Sequence, residues 1–175
     1  QWKKLQDAAP AAKTKGVVLD LRSNPGGLIT AAVDVADEFL PDVLIVSVKG
    51  RNALSNASYF GKPGQQFSGV PVVVLIDAGS ASASEILAGA LQDHKRATLM
   101  GSRSFGKGSV QNVIYLDNGD AFKLTTARYY TPDGRSIQAQ GIVPEILLQG
   151  NAKAGFTEKD LPKHIKAGTD SGLQA

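Results

Sequence analysis

The stretch VPVVVLID at 70–77 runs through five small residues, AGSAS, directly into ASEILAGALQDHK at 83–95. An apolar run without polar alternation reads as a buried strand, and Ile86, Leu87, Ala90 and Leu91 then fall on one helical face. A buried strand that turns this abruptly into a helix belongs to a β-α-β arrangement, which needs parallel strands with helices packed on them. The chain is therefore constrained to an α/β fold with a largely parallel central sheet.

The flanking sequence extends that pattern. GVVLDL (16–21) is a second short apolar run of the kind expected for a strand buried on both faces, and SNPGG at 23–27 breaks it. From Leu28 to Leu40 the residues Ile29, Ala32, Val33, Ala36, Phe39 and Leu40 predict a helix stopped by Pro41. VLIVSVK (43–49) predicts the next strand, and 50–69 has loop composition and unusual length, which suggests a functional surface loop or a small excursion. ATLMG predicts a strand, SRSFGKG a loop, and SVQNVIYL with AFKLTTARYY a hairpin about DNGD. In sheets of this class ligands bind beyond the C-terminal strand ends, where strand-to-helix turns expose backbone N–H groups. SNPGG and AGSAS are two such turns.

With 175 residues, 42% of them hydrophobic, one core is expected. The chain divides into an incoming helix remnant (1–15), the core (16–148) and a polar tail (149–175) with a short helix near TEKDLPKHI. No apolar run approaches the ~20 residues that span a bilayer, so no membrane insertion is expected. Zero cysteines exclude disulfides, thiolate metal sites and a cysteine nucleophile. A net charge of +3 without basic clusters interleaved with aromatics gives no support to nucleic-acid binding. Nothing calls for a metal or another cofactor.

The serines of GSASASEI admit two readings. Ser82 and Glu85 form S-x-x-E before an apolar run, the signature of a capping box that stabilises by ~1 kcal/mol. The same position, at the end of a buried strand and the start of a helix, would aim following N–H groups at a developing oxyanion. Capping and catalysis compete for one hydroxyl.

A nucleophilic serine needs a base. His94 lies twelve residues along the same predicted helix, roughly 18 Å away at the helical rise, and His164 falls in the polar tail. Lys107, with glycine on both sides, is the better candidate, since backbone can close around it. A lysine serves as a base where burial lowers its amine from ~10.4 to ~7 or 8; against this, most lone lysines are simply solvated. The phosphate-loop reading of GSRSFGKG fails, because Gly108 replaces the magnesium-binding hydroxyl and a strand follows where a helix is required.

Together DLRSNPGGL, GSASASEILAGALQD, RSFGKGSVQ and ARYYTPDGRSIQAQGIVPE resemble, in this order, the catalytic core of the carboxyl-terminal processing (tail-specific) proteases, serine peptidases with a Ser-Lys dyad. The resemblance covers about 16–146. It implies a crotonase/Clp-protease-like fold with helices on the sheet's faces and an added hairpin, no cofactor, and cleavage of polypeptides directed by apolar C-terminal tails. It also implies a location in the periplasm or otherwise outside the cytoplasmic membrane, and is compatible with a homo-oligomer. On the matching positions it implies Ser82 as nucleophile and Lys107 as base, with Ser80 or Ser84 left to cap the helix. Gln111, four residues on and expected on the same strand face, would orient the amine. Gly27 and Ala83 would supply the oxyanion-hole amides. Asp93 matches an acidic position sometimes implicated in the family, and at the far end of the helix it reads as structural. The family's PDZ domain would precede the core, and the chain reads as a core excised from it. A crotonase-like acyl-CoA enzyme, which would share the two-turn oxyanion hole without using Lys107, and a noncatalytic binding scaffold are the alternatives.

Overall fold

The computed structural model describes residues 13–148 and 157–160. The incoming helix expected before the first strand, His164 and most of the expected tail helix lie outside the described residues. In chain order the elements are β1 (Val17–Asp20), α1 (Ile29–Asp37), β2 (Leu44–Gly50), β3 (Ala57–Phe60), β4 (Val72–Ile76), α2 (Ala83–Asp93), β5 (Thr98–Gly101), β6 (Ser109–Tyr115), β7 (Ala121–Tyr130) and β8 (Ile146–Leu147). They form two four-stranded sheets, one in the order β1-β4-β5-β8 and the other β3-β2-β7-β6.

The first sheet is parallel throughout, as the abrupt strand-to-helix unit requires. Val74 pairs with Leu19 on one side and Leu99 on the other, and Val72, Val74, Ile76 and Leu99 bury one face of the sheet. Each such fully buried side chain contributes roughly 1.5–3 kcal/mol. The expectation that β1 is buried on both faces is not met. Among the described residues β1 is an edge strand whose exposure alternates, and Val18 remains 67% exposed.

The second sheet is antiparallel, and it takes in more than the expected hairpin. The run at 43–49 forms β2 in this sheet rather than in the parallel one. β3, inside the stretch read as a loop, pairs antiparallel with β2. Beyond β3, Phe67 is buried and stacks on Phe39 with ring centroids 5.3 Å apart, so the excursion is tied to the core. β7 pairs with β2 only over Ala127–Tyr130, and the far half of the hairpin pairs only with itself.

Helix α2 touches α1, β2 and β5, and its residues from Ala83 to Leu91 are all buried. The sequence pattern suggests one apolar face, but the opposite face consists of Ser84, Ala88 and Gly89, small enough for neighbours to close over it. A Cβ at Gly89 would stand 2.9 Å from Thr131 Cγ2 and 3.1 Å from Ile142 Cδ1. Glu85 is the exception in this buried helix, and it marks the site.

Candidate active site

Ser82 occupies the N-cap of α2 with φ 57° and ψ −118°, a conformation that costs a non-glycine residue on the order of 1–3 kcal/mol. The two neighbouring serines do not share this position. Ser80 is fully buried, donating to the Leu21 carbonyl at 2.7 Å and accepting from the Asp77 N–H at 3.0 Å, while Ser84 is buried inside the helix. The expectation that Ser80 or Ser84 caps the helix is therefore replaced: Ser82 is itself the N-cap and forms the capping box with Glu85. The Glu85 N–H already donates to the Ser82 carbonyl at 2.9 Å, so its claim on the hydroxyl is at most a shared one.

The two turns after β1 and β4 are stitched together. Ser23 N–H donates to Asp77 Oδ1 at 2.8 Å and Ala81 N–H to the Asn24 carbonyl at 3.0 Å. Gly26 N–H is taken by Asn24 Oδ1 at 3.0 Å. A Cβ on Gly26 would lie 2.6 Å from the Ala81 carbonyl oxygen, 2.7 Å from Ala83 N and 3.0 Å from Ser82 Cβ, and its φ is 94°. Only glycine lets the first turn approach the second this closely. Gly27 is exposed and borders open space. On the same turn Arg22 holds the exposed Asp20 carboxyl down at about 2, chiefly through its side-chain hydrogen bonds of 2.9 and 2.7 Å.

Glu85 joins the Ser82 turn to the lysine loop. Its Oε2 accepts from the N–H groups of both Ser82 and Lys107, each at 2.8 Å, and its Oε1 accepts from Gly106 N–H at 2.7 Å and from Ser104 Oγ. Two donors on each oxygen fill the acceptor capacity of a carboxylate. Burial pushes the Glu85 carboxyl above its ordinary range, and the four hydrogen bonds pull against that shift. Ser104 Oγ in turn accepts from Ile142 N–H at 2.6 Å, so the network continues into the segment after β7.

The structure thus brings the backbones of Ser82 and Lys107 onto one oxygen atom, with Ala83 and Gly26 beside them. It does not treat Gln111 in the expected way. Lys107 precedes β6, and a register shift between Val110 and Gln111 interrupts the alternation on which a shared face depends. Gln111 is exposed, and no hydrogen bond joins it to Lys107 among the described residues. Asp93 pairs with Arg135 and accepts from Asp133 N–H at 2.9 Å, pinning the turn after β7 to the end of α2. His94 lies at the C-terminal end of α2, with Nε2 2.7 Å from the Leu44 carbonyl oxygen. An open pocket beside Gln92, Lys95, Arg96 and Glu145 lies at the N-terminal ends of β4 and β5, opposite the two turns, and both Glu145 oxygens there hold neighbouring groups of the chain itself.

Sequence reasoning assigned Glu85 to a capping box and missed its second half, the hold on Ser104, Gly106 and Lys107. One signal was available: a carboxylate in a helix otherwise built of apolar and small residues is stable only with several donors around it. Gln138 and Glu158, which complete the lysine loop, carried no local signal.

This fold has known counterparts. The model of peptidase family S41 matches residues 1–148, and the chain belongs to that family. More narrowly, it is 48% identical over 176 residues to the carboxy-terminal-processing protease of Bartonella bacilliformis, covering 97% of this chain and 41% of that protein. It is 44% identical over 134 residues to the carboxyl-terminal-processing protease of Synechocystis, with 77% of this chain and 31% of the relative covered. Among solved structures, the photosystem II D1 C-terminal processing protease superposes with a TM-score of 0.74 at 38% identity, over 84% of this chain and 37% of that one. The chain therefore spans about two fifths or less of the length of these relatives.

Proposed function

We propose that this chain is the catalytic core of a serine endopeptidase that cleaves polypeptides under the direction of an apolar C-terminal tail, outside the cytoplasmic membrane. Ser82 Oγ attacks the scissile carbonyl carbon and its proton passes to the neutral amine of Lys107. The oxyanion that forms is held by the N–H groups of Gly27 and Ala83. Collapse breaks the C–N bond, the leaving amine takes the proton from Lys107, and the acyl group stays on Ser82. Water then attacks the ester, with Lys107 again accepting the proton; the bond from the carbonyl carbon to Ser82 Oγ breaks, Lys107 returns the proton to Oγ, and the carboxylic acid product leaves.

The observation that carries this reading is the single Glu85 oxygen shared by the backbone amides of Ser82 and Lys107. Such sharing fixes two segments far apart in sequence in one frame, as a nucleophile and its base require. Glycine at position 26, packed against Ala83 N, supports the oxyanion assignment by bringing the PGG turn to the helix start. The family relatives support peptide substrates.

The test is steady-state hydrolysis by the full-length protein of two peptides that differ only in an apolar or a charged tail. Ser82→Ala and Lys107→Ala are each expected to lower kcat/KM by roughly 10³-fold or more, to a similar floor, because nucleophile and base act as a unit. The apolar tail is expected to be preferred. Near-normal turnover by Lys107→Ala would overturn the dyad, and equal rates on both tails would overturn the specificity.

A further inference from the structure

The segment from Ser102 to Gly108 contains no strand or helix, yet every amide from Phe105 to Gly108 donates a hydrogen bond. Phe105 N–H reaches the Ser80 carbonyl at 2.9 Å, and Gly106 and Lys107 donate to Glu85. Those partners lie on the nucleophile's side of the loop. The other side is held by residues much later in the chain. Gly108 N–H donates to Gln138 Oε1 at 3.1 Å, and Ala139 N–H donates to the Gly106 carbonyl at 2.8 Å. The approach is close enough that a Cβ on Gly108 would stand 2.3 Å from Gln138 N.

Glu158 grips the same loop twice. Its N–H donates to the Phe105 carbonyl at 3.0 Å, and its Oε1 accepts from Gln138 Nε2 at 3.2 Å. It therefore holds residue 105 directly and residue 108 through Gln138, one on each side of Lys107. Its carboxylate has a specific use. The Gly108 N–H takes the amide oxygen of Gln138, and the Glu158 carboxylate accepts from the NH2 on the other side, so both ends of the amide are satisfied and its orientation is fixed from both sides. The turn carrying Glu158 is closed by Asp160, whose Oδ2 accepts from Thr157 N–H at 2.9 Å and Thr157 Oγ1 at 2.7 Å. These donors hold the Asp160 carboxyl below its ordinary range.

From this clasp we infer that Glu158, acting through Gln138, is a positioning residue for the general base, setting where the loop carries the Lys107 amine relative to Ser82. The inference rests on the dyad proposed above. Gln138 and Glu158 touch no reacting atom, and their effect is on geometry. A loop without ladder hydrogen bonds drifts when one side is released, and a displacement of ~1 Å can lower turnover by ~10²-fold.

An exchange of the two side chains tests this in the full-length protein, with an apolar-tailed peptide as substrate. Gln138→Glu sets two carboxylates against each other and is expected to lower kcat by roughly 10- to 100-fold with KM changed less than about twofold. Adding Glu158→Gln restores a donor facing an acceptor, while the carboxylate introduced at position 138 still accepts from the Gly108 N–H, so most of the lost kcat is expected to return. In a Lys107→Ala background Gln138→Glu is expected to cause no further loss. Should Gln138→Glu fail to fold, Glu158→Ala, at a half-buried site, is expected to show the same fall in kcat. Unchanged kcat in these variants, a rise in KM alone, or failure of the exchange to restore activity would overturn the positioning role while leaving the dyad intact. An active Lys107→Ala would instead overturn the dyad itself.

Discussion

Ser82 and Lys107 are held by two different kinds of structure. Ser82 stands between a buried strand and a buried helix, and its turn is tied by backbone and side-chain contacts to the parallel turn after β1. Lys107 stands in a stretch with no regular structure, held by the side chains of Glu85 and Gln138 and by the backbone of Glu158. The place of Ser82 thus follows from local chain geometry, and the place of Lys107 follows from polar contacts across long sequence separations. Added bulk is expected to disturb the first most, and a hydrogen-bonding group that changes sign the second.

The sharpest way to break this contrast is Glu85→Gln, because Glu85 belongs to both regions. An amide in place of the carboxylate turns one oxygen that receives two donors into a donor itself. Each buried donor left unpaired costs about 1–3 kcal/mol. We expect kcat/KM to fall roughly 10²- to 10³-fold together with a lower Tm. Activity within threefold of the wild type would show that the two regions are not joined through Glu85.

The same residue makes the pH dependence specific. Burial raises the folded Glu85 carboxyl above the ordinary glutamate value of about 4.3. Its contribution to stability is therefore complete below that ordinary value and is lost as pH rises through the raised one. Activity should move in the opposite sense, since only the ionised carboxylate accepts all four donors. Urea unfolding and kcat/KM measured across the acid range should show both trends in the wild type, and the stability trend assigned to Glu85 should vanish in Glu85→Gln. Its persistence in that variant would assign it to another group.

Gly26→Ala probes the other region with a smaller expected effect. The new methyl would meet the Ala81 carbonyl and Ala83 N, both backbone atoms that cannot rotate away. The expected loss is roughly 10- to 100-fold in kcat/KM, from displacement of the first turn alone. Full activity would show that the PGG turn does not need its close approach to Ser82. The smallest effect is expected at Gln111, where alanine should change kcat/KM by less than about threefold because the side chain is exposed beyond a bulge. A much larger loss would restore its orienting role.

Most of the parallel half of the fold was legible because its signals are local. The run at 72–76, the small residues of AGSAS and the helix that follows left only one arrangement, and both turns fell where they were expected. β2 and β3 were not placed correctly, because a strand's sheet partner is decided by register and packing rather than by its own residues. The edge position of β1 was hidden for the same reason. At the candidate site, residue type and glycine neighbours made Ser82 and Lys107 candidates only, and the family resemblance supplied their expected roles. The reach of Glu85, and the holds of Gln138 and Glu158, were not legible because they span 19 to 53 residues of sequence.

The most direct test of the Ser82–Lys107 pairing is the rate at which a fluorophosphonate modifies Ser82, followed by mass spectrometry in the wild type and in Lys107→Ala. This reaction needs the nucleophile and its base but no recognition of a tail. A lysine base predicts modification at Ser82 in the wild type and a loss of roughly 10²-fold or more in Lys107→Ala. Labelling of Lys107→Ala at the wild-type rate would contradict it.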